Sequence, residues 1–173
     1  RTGEIVKGSV LLGSLRVRQD MMIFEGLVGA ELTGKGGPND PQAVALARIR
    51  QLSAHEVGHA IGLQHNFAAS TQNRASVMDY PVPQVKIEGD HIHFAEAYDV
   101  GLGGWDDFAL DWLYAEADPA ELDRRARAGS AQWRFTADND ARMGDDGQVW
   151  GSLWDNGSDA VAELNHLMQV RRL

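Results

Sequence analysis

The chain has 173 residues, no cysteine, 43% hydrophobic and 24% charged residues, and a formal net charge of −9. That length allows one domain with a real core, and the missing cysteines exclude disulfides and thiolate metal ligands. The charge lies beyond Asn66, where nine Lys/Arg face nineteen Asp/Glu, against seven and six before it. This balance argues against nucleic acid and anionic membrane surfaces as partners.

The chain opens on RTGEIVKGSV, without a methionine and in mid-pattern. It reads as an excised piece of a longer protein, and the remainder of that polypeptide is an expected partner. Residues 3–12, GEIVKGSVLL, alternate like a strand at a sheet edge. Residues 14–32 have helical spacing, with either Leu15, Met22 and Gly26 or Met21, Phe24 and Val28 inward. TGKGGPNDP is a loop by composition. Asp40 and Pro41 are an N-cap and first-turn pair, and they open a helix expected to run to Ile61 and end at Gly62. Residues 66–83 are irregular. QVKIEGDHIHF predicts a hairpin turning at Gly89–Asp90. An amphipathic helix is expected over 103–117, a short capped one over 118–129, a loop over 139–151, and a last helix over 160–170, capped by Ser158 or Asp159. No apolar run approaches the roughly 18 residues of a membrane span, so no membrane insertion is expected.

The chemistry concentrates in HEVGHAIGLQHN, residues 55–66. His55 and His59 are four apart and share a helix face. Glu56 points to the adjacent side, where it can meet a metal-bound water without being a ligand. A catalytic zinc usually takes three protein ligands, and His65 is the third candidate. On an uninterrupted helix His65 would lie about 240° round from His59. Gly62 is placed to end the helix and turn the chain back. A histidine pair at this spacing can also be two satisfied core residues, and zinc can serve structure alone. Gly62, His65 and the retained Glu56 favour a catalytic zinc ion.

HExxHxxGxxH followed by SVMDY resembles the metzincin clan of zinc peptidases. The resemblance implies that Met78 packs beneath the zinc ligands and that Tyr80 stabilises the oxyanion. TGEI, LGSLRVRQD, HEVGHAIGLQHNFAAS, SVMDYP and WDNGSDAVAE are similar to large bacterial zinc-dependent metalloproteases. That similarity implies a secreted, periplasmic or cell-envelope parent protein. Two departures stand out. The interval from His65 to Met78 is longer than in compact matrixins, and only about fifty residues precede the zinc helix, so most of the upstream sheet is expected outside this chain.

The implied fold is α+β and mainly helical, a metzincin-like core with a long zinc helix, a Met-turn and C-terminal helices. It is read as one catalytic domain, 1–66 carrying the edge strand and zinc helix and 67–173 the Met-turn and helical subdomain. The expected function is zinc-dependent endopeptidase cleavage of a peptide or protein, with a zinc-activated water and Glu56 as general base. The extended substrate would pair with the edge strand. The alternative is an inactive or incomplete zinc-binding, peptide-binding module. His91 and His93 alternate on one strand face and are read first as hairpin surface, second as another metal site. His166 is read as structural. The acidic stretch 138–146 has carboxylates enough for calcium, but neither EF-hand spacing nor its closing Glu, so calcium is a lesser alternative to zinc. Asp99, Asp106 and Asp107 are read as helix caps first and as partners of a ligand histidine second. Substrate specificity and oligomeric state have no signature in the sequence.

Overall fold

The computed structural model describes residues 4–141 and 147–173. About half the chain is helical with little strand, the mainly helical α+β fold expected. Helix α1 (Ser14–Val28) ends where Gly29 takes a φ of 98°, and a 3-10 turn follows at Ala30–Leu32. Of the two stripes expected on α1, that of Met21, Phe24 and Val28 faces the core, while Leu15 and Met22 are exposed.

Helix α2 (Pro41–Ala60) starts as its sequence predicts. The Asp40 carboxylate accepts from the Gln42 N–H at 2.9 Å, and also from Gly34 at 2.9 Å and Gly36 at 2.8 Å. One side chain thus caps the helix and folds the glycine-rich loop before it, and these amides hold its pKa below the usual carboxylate range. The buried stripe of α2 is Pro41, Val44, Ala45, Arg48, Gln51, His55 and Gly58. Its steps of three and four are those of one helix face. Buried Arg48 bonds Gln51 and lies 5.6 Å over the Tyr98 ring.

Two compact units form from the chain. The first comprises Arg1–Ile61, Val82–Gly101 and Val161–Leu173. Its core is Phe24, Val44, Ala45, Phe94, Ala97 and Tyr98. Phe24 meets Phe94 edge-on, with ring centroids 5.3 Å apart. Strands β1 (Lys86–Glu88) and β2 (His91–His93) form the expected antiparallel hairpin, with Ile87 opposite Ile92. Asn39 ties the hairpin to the chain before α2. Its side-chain amide donates to Ile92 O at 2.8 Å, and its carbonyl accepts from the Phe94 N–H at 2.9 Å. On the last helix (Ala160–Val170, α6 in chain order), His166 Nε2 donates to Val85 O at 2.8 Å, the structural role expected.

The expected edge strand does not form. Residues 4–12 are irregular, and Val6 and Leu11 are 91% and 95% exposed. A strand is completed by a ladder partner, and among the described residues the only sheet is β1–β2. Alternation alone therefore made no strand of this segment, and substrate pairing along it has no strand to start from.

The second unit comprises Gly62–Pro81 and Leu102–Ala160. It holds α3 (Gly104–Leu113), α4 (Pro119–Gln132) and the short α5 (Asp138–Ala141). Helix α3 is shorter than expected and α4 longer. The helix expected over 118–129 runs on to Gln132, so Gly129 lies inside it, where the Phe108 ring occupies the place a Cβ would take. Close packing, not helix termination, explains that glycine. Helix α5 replaces the start of an expected loop, whose residues 142–146 lie outside the described residues. No helix among the described residues is long and apolar enough to cross a membrane.

Candidate metal centre

His55 lies on the buried stripe of α2, and His59 follows one turn on. Their rings meet edge-on with centroids 4.7 Å apart. Glu56, about 100° round the helix from His55, is half-buried. The helix then stops. Ile61 caps it, and Gly62 takes a φ of 103°, a conformation that a side chain would strain. Three residues later comes His65. Each of the three histidines offers one ligand atom, and these atoms lie within 4.8 Å of one another. Among the described residues this is the only such grouping of His, Asp and Glu.

Three imidazole nitrogens suit zinc, whose structural and catalytic sites use nitrogen and sulfur donors. Calcium and magnesium demand oxygen. Around a tetrahedral zinc the nitrogens would stand about 3.4 Å apart, from bond lengths near 2.05 Å. Three imidazole nitrogens within 4.8 Å of one another are a donor set that fits zinc. His91 and His93 lie outside this grouping. His91 is exposed, and His93 Nε2 lies 3.5 Å from the Glu88 carboxylate.

The segment after the helix is held by a dense polar network. The Asn66 N–H donates to Met78 O at 3.0 Å, which ties the residue after His65 to the SVMDY turn. Met78 is fully buried. Its N–H donates to Ser76 Oγ at 2.9 Å, and that hydroxyl donates to Asp106 at 2.6 Å. Asp106 also accepts from the N–H groups of Val77 and Gly103, each at 2.8 Å. It is therefore both the cap of α3 and the clamp of the turn. Burial is the main reason its pKa is raised. The capping role expected for Asp106 holds, and its oxygens serve the turn rather than a histidine.

Tyr80 packs its ring against His65, with centroids 4.9 Å apart, and stacks on Trp154 at 5.5 Å. The Trp154 N–H donates to Tyr80 O at 3.0 Å, and Trp154 has a positive φ of 61°. Asn156 accepts from Arg74 at 3.1 and 3.0 Å. The WDNG segment is thus fastened to the turn that carries Tyr80. Sequence spacing gave no sign of this, nor of the Asp138 carboxylate that lies 2.5 Å from His65 Nδ1.

Asp79 accepts from the N–H groups of Tyr80 at 2.7 Å and Ser70 at 2.8 Å. Burial outweighs those bonds and pushes its pKa from 3.8 up to about 7. A carboxyl with a raised folded pKa holds its proton more tightly when folded. Its stabilisation is complete below pH 4 and is lost as the pH rises through about 7. At 1.36 kcal/mol per pKa unit, the metal-free protein should lose at most about 4 kcal/mol over this window relative to Asp79→Asn. Urea unfolding of both proteins at pH 4 and pH 8 measures it. A difference independent of pH would contradict the assignment.

A family model described as Met-zincin matches residues 37–173. No curated protein and no solved structure matches the chain. The match begins just before α2 and runs through α6. It covers all three histidines of the cluster, and the chain therefore belongs to the Met-zincin family, with a domain of the zinc metallopeptidase type.

Proposed function

We propose that this chain is a zinc-dependent endopeptidase that hydrolyses peptide bonds in a peptide or protein substrate. The observation that carries the reading is the convergence of His55, His59 and His65 within 4.8 Å, with Glu56 beside His55 on the same helix. A zinc ion that only braced the fold would have no use for a carboxylate at that position.

His55, His59 and His65 would hold one zinc ion. When bound, zinc supplies a Lewis acid for the scissile carbonyl and lowers the pKa of a water towards about 7. Glu56 takes a proton from the attacking water and returns it to the leaving nitrogen. The Tyr80 phenol, beside His65, donates a hydrogen bond to the developing oxyanion. Met78, fully buried, packs the turn as an adaptable thioether and ligates nothing. The resemblance to large bacterial metalloproteases is what supports a secreted, periplasmic or envelope location.

Metal removal tests the proposal. The zinc-loaded protein should bind about one ion per chain and cleave casein or a mixed peptide library. A chelator should abolish cleavage, and added zinc should restore it. Stoichiometric zinc without any cleavage would favour a peptide-binding module, and no zinc uptake would remove the metal centre.

A further inference from the structure

His65 is the ligand that the helix does not hold. His55 and His59 ride on α2, but His65 follows the turn at Gly62 in irregular chain. Something else must aim its ring. The Asp138 carboxylate lies 2.5 Å from His65 Nδ1. An ionised carboxylate only accepts, so Nδ1 carries the proton and donates it. With Nδ1 so engaged, Nε2 is the atom the ring offers to a metal. We propose that Asp138 is a positioning residue of the metal centre, which holds His65 in the Nδ1–H tautomer and turns Nε2 to the ion. This deepens the zinc reading above and rests on it.

The surrounding backbone is built to deliver the pair. Asn66, fully buried, accepts from the Thr136 N–H at 3.2 Å and donates to Arg134 O at 3.0 Å. The Phe67 N–H donates to Thr136 O at 2.9 Å. Three bonds thus hold residues 66–67 to 134–136, directly beside His65 on one segment and two residues before Asp138 on the other. Asp138 opens α5, whose Asp140 and Ala141 N–H groups donate to Ala137 O at 3.1 and 3.0 Å. The His65 ring is further confined by Phe67, stacked at 5.1 Å. The Asp138 side chain is 49% exposed. An ion pair that open contributes little to folding. Its effect therefore lies in ring orientation and tautomer, which separates it from a merely structural contact.

The test compares the whole chain with Asp138→Ala, Asp138→Asn and His65→Ala. Zinc affinity is read by competition with a chromophoric chelator, folding by thermal unfolding, and the His65 tautomer by long-range nitrogen–proton NMR of the metal-free proteins. Asp138→Ala should lose roughly 10- to 100-fold in zinc affinity with its melting temperature nearly unchanged. Its His65 should shift away from the Nδ1–H form. Asp138→Asn should lose less, because the amide oxygen still accepts from Nδ1. Zinc affinity within twofold of wild type in Asp138→Ala, or an unchanged tautomer, overturns this inference and leaves the zinc reading standing. Failure of the wild type to take up zinc overturns both.

Discussion

Glu56→Gln should slow peptide hydrolysis by roughly 10²- to 10⁴-fold, the usual worth of a general base, while zinc content stays at the wild-type level. Gln has nearly the same shape and helix propensity as Glu, so α2 is not disturbed. It cannot take a proton from water. Position 56 stands about 100° round the helix from His55 and outside the histidine grouping, so the three imidazoles are untouched. His59→Ala is the complementary change. It leaves two histidines, too few for a catalytic site of three protein ligands, and zinc should be lost together with activity. Metal analysis and progress curves on one peptide separate the two. Full activity in Glu56→Gln would remove the general base from the mechanism.

Asp106→Ala should cost about 3–5 kcal/mol of folding stability, a large share of the 5–15 kcal/mol typical of a domain. The carboxylate is fully buried and accepts from the Ser76 hydroxyl and from the N–H groups of Val77 and Gly103. Removing it orphans all three, at roughly 1–3 kcal/mol for each buried donor left unpaired. Relief of the buried charge, which already raises the pKa of Asp106, offsets part of the sum. Asp106→Asn keeps one oxygen for the Val77 and Gly103 N–H groups but loses the acceptor of the Ser76 hydroxyl proton, so it should fall between wild type and Ala. Urea unfolding of the three proteins decides. A loss under 1 kcal/mol for Asp106→Ala would mean that water replaces the carboxylate. The turn at Ser76–Met78 would loosen with the substitution, and the Asn66 bond to Met78 O would carry that to His65.

The legible parts of the fold were those governed by neighbours in sequence. Asp40 and Pro41 announced the start of α2, because a cap acts on amides two or three residues ahead. The β1–β2 hairpin was legible from Gly89–Asp90 between alternating residues, and its turn does use a positive φ at Gly89. Residues 4–12 alternate equally well and form no strand. A hairpin carries its own partner a few residues away, whereas a lone edge strand depends on a sheet elsewhere. At Gly129 the sequence leaves open whether glycine ends a helix or meets a close neighbour, and only the position of the Phe108 ring tells which.

The same division runs through the metal centre. Spacing by itself determined that His55 and His59 share a face of α2, that Glu56 stands beside that face, and that the chain must turn at Gly62 to bring His65 back. Each of these follows from helix geometry within eleven residues. What only the tertiary structure decided is which groups hold that turn and that ring: Asp106 on Ser76 and Val77, Trp154 on Tyr80, and Asp138 on His65 across 73 residues of chain. A hydrogen bond between distant segments has no period, so no spacing could reveal it. It forms because polar groups withdrawn from water, such as the Val77 amide, must find partners once the chain is folded, and the folded chain alone selects the partner.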